Sequence, residues 1–273
     1  MGAVLVEAGR LRAVDIEHIL FRQLEQKGLR FGEAGKELGL LTQIDVEFAL
    51  ARQFDYPYLQ RGESGISEEV IAAYDPFSPQ VEALRALRTQ LMLRWFDEPA
   101  HKVLAIVSAT RHEGRSYVAA NLAVVFSQLG LRTVLIDADL RNPRQHQLFD
   151  LHGGPGLSAM LSGRASLEAV QQVASLHDLS VLPAGVMPPN PQELIARPAF
   201  AQLLNRLVEH VDVVILDSPA AAESADAQTL AVRAGAALLV ARRKVTRMSL
   251  AKRVAESVLQ AKGTIVGAAF NDF

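Results

Sequence analysis

The 273-residue chain contains no cysteine, one tryptophan and only four tyrosines. Without cysteine there can be no disulfide framework and no thiolate metal centre, as is compatible with a reducing compartment. No segment approaches the ~20 consecutive apolar residues that a membrane-spanning helix needs; apolar runs such as Ala236–Ala241 are short. No charge sign dominates: 28 basic against 30 acidic residues leave a formal charge of −2, so nothing global favours nucleic acid or an anionic membrane. The first residues include Glu7 and lack a basic run, so no secretory leader is expected. What is present is 49% hydrophobic and 21% charged, the composition of a soluble globular protein with a sizeable core. Its length suits one large domain plus a small one.

Three apolar runs end in chemistry-bearing residues. Val103–Ser108 leads through Ala109 and Thr110 to Glu113, Gly114, Arg115 and Ser116, and a helix-like segment follows to Leu129. This has the form of a phosphate-binding loop with arginine in place of the usual lysine. Backbone N–H groups from Thr110, Arg111, His112, Glu113, Gly114, Arg115, Ser116 and Tyr117 would surround phosphate oxygens at the positive end of the following helix. In the general pattern the Ser116 hydroxyl ligates magnesium. The other two runs end in Asp137 and Asp139, and in Asp217-Ser218-Pro219. Magnesium prefers oxygen ligands and retains waters, so one or two carboxylates plus phosphates suffice. Strand-end acids would lie at the carboxyl edge of a sheet, where open α/β folds bind ligands. One such Asp alone could equally cap a strand; three in this order point to a single Mg-nucleotide site.

The first fifty-three residues hold an internal repeat. A shift of thirty positions aligns Gly2 with Gly32, Gly9 with Gly39, Leu11 with Leu41, Asp15 with Asp45, and Gln23 with Gln53. Each unit reads as a short helix, a Gly-centred turn and an amphipathic helix, with Thr42 as N-cap of the last. A duplicated structural module explains this pattern as readily as a binding site does. The repeat resembles the N-terminal domain of type II secretion and pilus assembly ATPases (MshEN-like). Paired motifs in that family can bind cyclic di-GMP, which implies Arg30, Gly32, Gly39 and Gln53 with Gly2, Gly9 and Gln23. The first unit has no residue matching Arg30, leaving one arginine for a two-arginine site.

Residues 61–74 read as a polar linker that includes a short helix, and Gln80–Trp95 reads as a helix. Glu82, Arg85 and Arg88 share one stripe of it at i, i+3, i+6 spacing, ordinarily a solvated face. From Asp75 to Phe273 the chain resembles the bacterial protein tyrosine kinases, relatives of the MinD and ParA ATPases, in the EpsG-type form of exopolysaccharide chain-length systems. The resemblance rests on Ser108–Ser116, Val134–Asp139, Val213–Pro219, the Glu82/Arg85/Arg88 motif, and the segments Leu140–Pro143, Asn190–Leu194 and Phe270–Phe273. Phe54–Tyr58 fits the same type.

That resemblance implies ATP and Mg2+ as cofactors. Arg115 and Ser116 would face the phosphates; Ser116, Asp137, Asp139 and Asp217 would surround the metal. Asp137 or Asp139 would help deprotonate an incoming tyrosine, and Asn271 would read the adenine. Glu82, Arg85 and Arg88 would join copies into a homo-oligomer. The partner implied is a membrane-embedded polysaccharide chain-length protein, which would hold this cytoplasmic chain at the inner face of the membrane. Two features depart from the family. Arg115 offers a planar fork where a compact ammonium is usual, and the two are not equivalent beside phosphate. The C-terminus also lacks a tyrosine cluster, since the tyrosines are Tyr56, Tyr58, Tyr74 and Tyr117. Three readings therefore stand. The first is a tyrosine kinase acting on itself or a partner, and the second is a nucleotide-binding regulatory module without transfer. The third is a MinD/ParA-like positioning ATPase, for which the expected signature lysine is replaced by Thr110. The predicted fold is a doubly wound, mainly parallel α/β P-loop domain over 75–273, with a small all-helical domain over 1–60. Strands are expected near 103–107, 133–137, 179–183, 212–216, 236–241 and 264–269.

Overall fold

A computed structural model describes residues 1–53, 58–62 and 64–272. Tyr56, most of the Phe54–Tyr58 segment and the terminal Phe273 lie outside the described residues. The chain forms two compact units, Met1–Tyr58 and Leu59–Phe273.

The first unit comprises α1 (Gly2–Glu7), α2 (Ala13–Glu25), α3 (Phe31–Glu37) and α4 (Gln43–Gln53). The two repeats interlock: α1 packs on α4 and α2 on α3, around Leu5, Leu11, Ile19, Leu41 and Phe48. The Thr42 hydroxyl accepts from the Asp45 N–H at 3.2 Å, and the Asp45 carboxylate accepts from the Thr42 N–H at 2.9 Å. This reciprocal cap starts α4 where the sequence placed it.

The second unit is a seven-stranded sheet ordered β3-β4-β2-β5-β1-β6-β7. Its strands are β1 (Val103–Ser108), β2 (Thr133–Asp137), β3 (Gln171–Gln172), β4 (Leu179–Leu182), β5 (Val213–Asp217), β6 (Ala236–Arg242) and β7 (Thr264–Asn271). Every pairing is parallel except that of β3 with β4. All six expected strands are present. The two-residue β3 is too short to carry a periodic signal. The helices are α5 (Ile71–Tyr74), α6 (Pro79–Leu91), α7 (Arg115–Ser127), α8 (Gln145–Leu148), α9 (Leu157–Leu161), α10 (Pro191–Ala196), α11 (Pro198–Val208), α12 (Asp226–Ala234) and α13 (Met248–Gln260). Alternation along the strands separates two cores. Leu104, Ile106, Leu135, Ile215 and Leu238 face α6 and α7. Ala105, Val107, Ile136, Leu216 and Leu239 face α11, α12 and α13. The sheet is thus covered on both sides, which is why its strands read as continuous apolar runs. Helix α6 begins at Ser78, whose hydroxyl accepts from the Val81 N–H at 3.3 Å, and ends in a π-helical turn, Met92–Phe96.

The stretch 61–74, expected as a linker, is integral to the second unit from Ile66 onward. Ile66, Val70, Ala72, Ala73 and Tyr74 are buried in its core. Asn121, fully buried on α7, accepts from the Ala72 N–H at 2.9 Å and donates to Glu69 O at 3.0 Å. Arg61, Gly62, Glu63 and Ser64 gave the stretch its linker composition, whereas its second half is largely apolar and hydrogen-bonded.

Candidate active site

β2 and β5 are neighbours in register, with Asp137 opposite Asp217, and β5 lies beside β1. The three strands therefore deliver the phosphate-loop pattern and the acids to one edge. The chain leaves β1 through α7 to reach β2, and leaves β5 through α12 to reach β6. This divergence of connections opens a crevice at the carboxyl ends, the usual ligand position in such sheets. A cleft of about 410 Å³ opens there, with Arg111–Tyr117, Asp139, Asn142–Arg144 and Gln147 on its walls.

The loop is shaped by two left-handed residues, His112 (φ 60°) and Gly114 (φ 87°), after which α7 starts at Arg115. Glu113 is buried and holds the loop from within. Its carboxylate accepts from the Thr110 N–H at 3.0 Å, the Thr110 hydroxyl at 2.8 Å and the Thr246 hydroxyl at 2.6 Å. Asn271, expected to read adenine, instead donates from its side-chain amide to Glu113 O at 2.9 Å and so ties the end of β7 to the loop.

Arg115 points inward rather than along the loop, and is 9% exposed. One guanidinium nitrogen, Nη1, donates to the Ser108 hydroxyl at 2.7 Å. Its Nη2 lies 3.3 Å from Asp139 and its Nε 3.5 Å from Asp217. The planar fork thus bridges the ends of two acidic motifs, which a single ammonium could not do.

The acids are not equivalent. Asp137 is fully buried, and burial pushes its pKa well above the usual carboxylate range, with further upward pressure from the Asp217 charge. Its oxygens accept backbone N–H groups from Asp139, Arg144 and Gln145 at 3.3, 3.0 and 2.9 Å, which oppose that rise. Asp217 is also raised by burial, against the Arg115 charge and the Gln145 and Ser116 hydrogen-bond donors. Asp139 lines the cleft and accepts the Arg141 and Asn142 N–H groups at 3.2 and 2.9 Å. Asp137 therefore shapes the segment after β2, while Asp139 offers a carboxylate toward the cleft.

Among the described residues, no three His, Cys, Asp or Glu side chains are arranged to hold a metal by themselves. Magnesium with a triphosphate does not require that, since phosphates and water complete its shell. The buried oxygen Asp217 Oδ1 makes no conventional hydrogen bond and has only the 3.5 Å approach of Arg115 Nε. A carboxylate oxygen so weakly engaged, on a residue within reach of the Ser116 hydroxyl, suits a hydrated hard cation, so the residues fit the group.

Sequence reasoning missed Gln145, whose side-chain amide donates to Asp217 Oδ2 at 2.7 Å, and the anchoring role of Glu113. No periodicity or motif marks Gln145, because its importance arises from three distant segments meeting. The proposed joining motif is split: Arg85 pairs with Glu82 at 3.2 Å, whereas Arg88 donates to Val125 O at 2.6 Å and braces α6 on α7. Of the tyrosines, Tyr74 is buried and donates its hydroxyl to Ile66 O, so it is no accessible phosphate acceptor. Burial, and secondarily the Glu69 charge, raises the pKa of half-buried Tyr117.

The glycines of the repeat have packing reasons. A Cβ on Gly32 would meet Val46 at 2.8 Å and one on Gly2 would meet Ile16 at 3.2 Å, while Gly9 and Gly39 turn with φ 68° and 67°. The Gln23 side chain donates to Leu29 O at 2.7 Å. Arg30 is exposed at the start of α3, and Gln53 is exposed at the end of α4.

A family model described as ParA, NUBPL iron-transfer P-loop NTPase, matches residues 100–271. The chain is 36% identical over 206 residues to the tyrosine-protein kinase YwqD of Bacillus subtilis (strain 168), spanning 76% of this chain and 86% of that protein. Among solved structures, the kinase domain of Escherichia coli tyrosine kinase ETK superimposes with a TM-score of 0.72 at 32% identity, over 80% of this chain and 85% of that one. The chimerical protein CapA2B2 gives a TM-score of 0.70 at 30% identity, over 82% and 97%.

Proposed function

Because the chain belongs to the bacterial tyrosine-protein kinases, a branch of the ParA-type P-loop NTPases, we propose that it transfers the terminal phosphoryl group of Mg-ATP to a tyrosine hydroxyl on a partner or a second copy. The observation that carries this reading is the meeting of Asp139 and Asp217 on Arg115 behind a cleft whose walls include Ser116 and Asp139. The backbone N–H groups of 111–117 would cradle phosphate oxygens, the Thr110 N–H being taken by Glu113, and Ser116 with Asp217 would hold the cation. Magnesium, when bound, neutralises charge developing on the transferred group. Arg115, turned here onto Ser108, Asp139 and Asp217, would reach the phosphates only on leaving at least one of these acids. Asp139 is the acid we assign to accept the phenolic proton, since it borders the cleft, 3% exposed, whereas Asp137 is fully buried and does not line it; a positioned base in hydrogen-bond reach is what this step asks.

We place the acceptor tyrosine outside this chain's core because Tyr74 is buried and Tyr117 is half-buried. The process proposed is exopolysaccharide chain-length control, with a membrane-embedded chain-length protein supplying the activating cytoplasmic segment and Glu82, Arg85 and Arg88 joining copies. No described helix is long and apolar enough to cross a membrane; attachment through that partner is part of the same proposal. Incubation with labelled Mg-ATP, alone and with that segment, followed by phosphotyrosine mapping, tests the proposal. Label on tyrosine of the partner or of a second copy supports it. Bound but untransferred ATP favours the regulatory module, and no binding overturns both. The finer reading, cyclic di-GMP at the helical repeat, rests on its sequence pattern; calorimetric titration of wild type against Arg30→Ala tests it, and absence of heat removes it.

A further inference from the structure

One residue touches all three nucleotide motifs and has no assigned role. Gln145 is fully buried at the start of α8. Its side-chain Nε2 donates to Asp217 Oδ2 at 2.7 Å and to Ser116 O at 3.2 Å. Its own backbone N–H donates to Asp137 Oδ2 at 2.9 Å. Leu148 and Phe149, both buried in the core beside α7, anchor the end of this short helix and so fix where Gln145 points. Gln145 Oε1 is buried without a hydrogen-bond partner, and Asp217 Oδ1 has only the Arg115 Nε at 3.5 Å beside it. A buried acceptor left unpaired is costly unless a ligand or water serves it.

We propose that Gln145 is a positioning residue for the divalent cation: its amide N–H fixes the Asp217 carboxylate in one rotamer and occupies Oδ2, so that Oδ1, which here faces Arg115 Nε at 3.5 Å, is the oxygen that the metal's water shell would take over from the guanidinium. The amide oxygen, Oε1, is then a second acceptor for that shell. The backbone link to Asp137 gives Asp137 a purpose that its burial denies it as a base, since it holds the segment that carries Gln145. Partners of this kind orient the groups that contact a metal and change its affinity by about 10–100-fold when removed. This assignment rests on the Mg-nucleotide reading above.

The test is binding of a fluorescent ADP analogue to the full chain, titrated with Mg2+ and repeated in EDTA. Gln145→Met keeps length and burial but removes donor and acceptor. It should raise the Mg2+ concentration for half-maximal binding by about tenfold or more and leave metal-free nucleotide affinity unchanged. In an Asp217→Asn background the same substitution should add less than about twofold, because both act through one carboxylate. An unaltered Mg2+ requirement in Gln145→Met, or equal effects with and without Asp217, would overturn the assignment. Should Gln145→Met fail to fold, Gln145→Glu, which keeps the shape but turns the donor into an acceptor facing Asp217, must show the same rise or the proposal falls. Failure of wild type to bind the analogue under any condition would instead refute the nucleotide reading itself.

Discussion

Removal of the Arg115 side chain is the most informative perturbation of the nucleotide-free protein. The guanidinium is 9% exposed and lies 3.3 Å from Asp139 and 3.5 Å from Asp217. Asp137 and Asp217 face each other across β2 and β5. Arg115→Ala leaves these carboxylates together in a poorly solvated place. Stripping one partner from a buried pair costs about 3–5 kcal/mol. Asp137, already displaced toward its neutral form, can relieve part of the repulsion, so the lower end, about 3 kcal/mol, is expected. At ~2–4 °C per kcal/mol for a domain of this size, the melting midpoint should fall by roughly 6–12 °C in EDTA. Millimolar Mg2+ should recover much of that loss in the variant and little in wild type, because a divalent ion can replace the missing charge. Arg115→Lys should fall between the two, since one ammonium cannot bridge both acids. Differential scanning calorimetry in EDTA and in Mg2+ measures this directly. An Arg115→Ala midpoint equal to wild type in EDTA, or an equal response of both proteins to Mg2+, would refute the view that Arg115 balances the acidic cluster.

Three further outcomes are expected. A carboxyl whose folded pKa exceeds its unfolded value binds its proton more tightly in the native state, so its contribution to stability falls as pH rises from the unfolded value through the raised one. Asp137 should therefore make the metal-free protein less stable between mildly acidic and neutral pH; urea unfolding of wild type and Asp137→Asn checks this, with the slope reduced in the variant. Asn121→Leu strips the buried Ala72 N–H of its acceptor and the more exposed Glu69 O of a donor and should cost about 1–3 kcal/mol, the range for one buried orphaned group, with faster proteolysis near Arg61 as a second readout. The combined substitution Glu82→Ala, Arg85→Ala and Arg88→Ala should shift oligomer to monomer in sedimentation. Arg88→Ala alone should also lower stability by about 1 kcal/mol through the lost bond to Val125 O.

How much of this was legible in advance depended on whether a signal was local. Five of the six long strands were readable because they are apolar and largely buried, and the edge strand β7, with no buried residue, because its run is still mostly apolar. The positions of Asp137, Asp139, Asp217 and Ser116 were readable because strand ends and helix starts announce themselves. Arg115 was visible as a substitution, but not its inward turn onto two acids, which needs the register of β2 with β5. Gln145 and Glu113 carry ordinary polar side chains in ordinary contexts; only the folded chain reveals their partners. The segment 66–74 was misjudged because its polar beginning outweighed the apolar residues that Asn121 fastens to α7. Asn271 was placed near the right loop, yet its amide is spent on Glu113 O. The repeat's glycines were noticed for a ligand, whereas close helix packing at Gly2 and Gly32 and left-handed turns at Gly9 and Gly39 account for them.

The central claim is that three strand ends build one site for a divalent cation and a triphosphate. A crystal structure with Mn2+ and a non-hydrolysable ATP analogue, read by anomalous scattering, tests it most directly. The account predicts a single metal peak between the Ser116 hydroxyl and Asp217, with phosphates on the 110–117 backbone and Arg115 released from at least one acid. A metal elsewhere, or a nucleotide bound away from this loop, would contradict it.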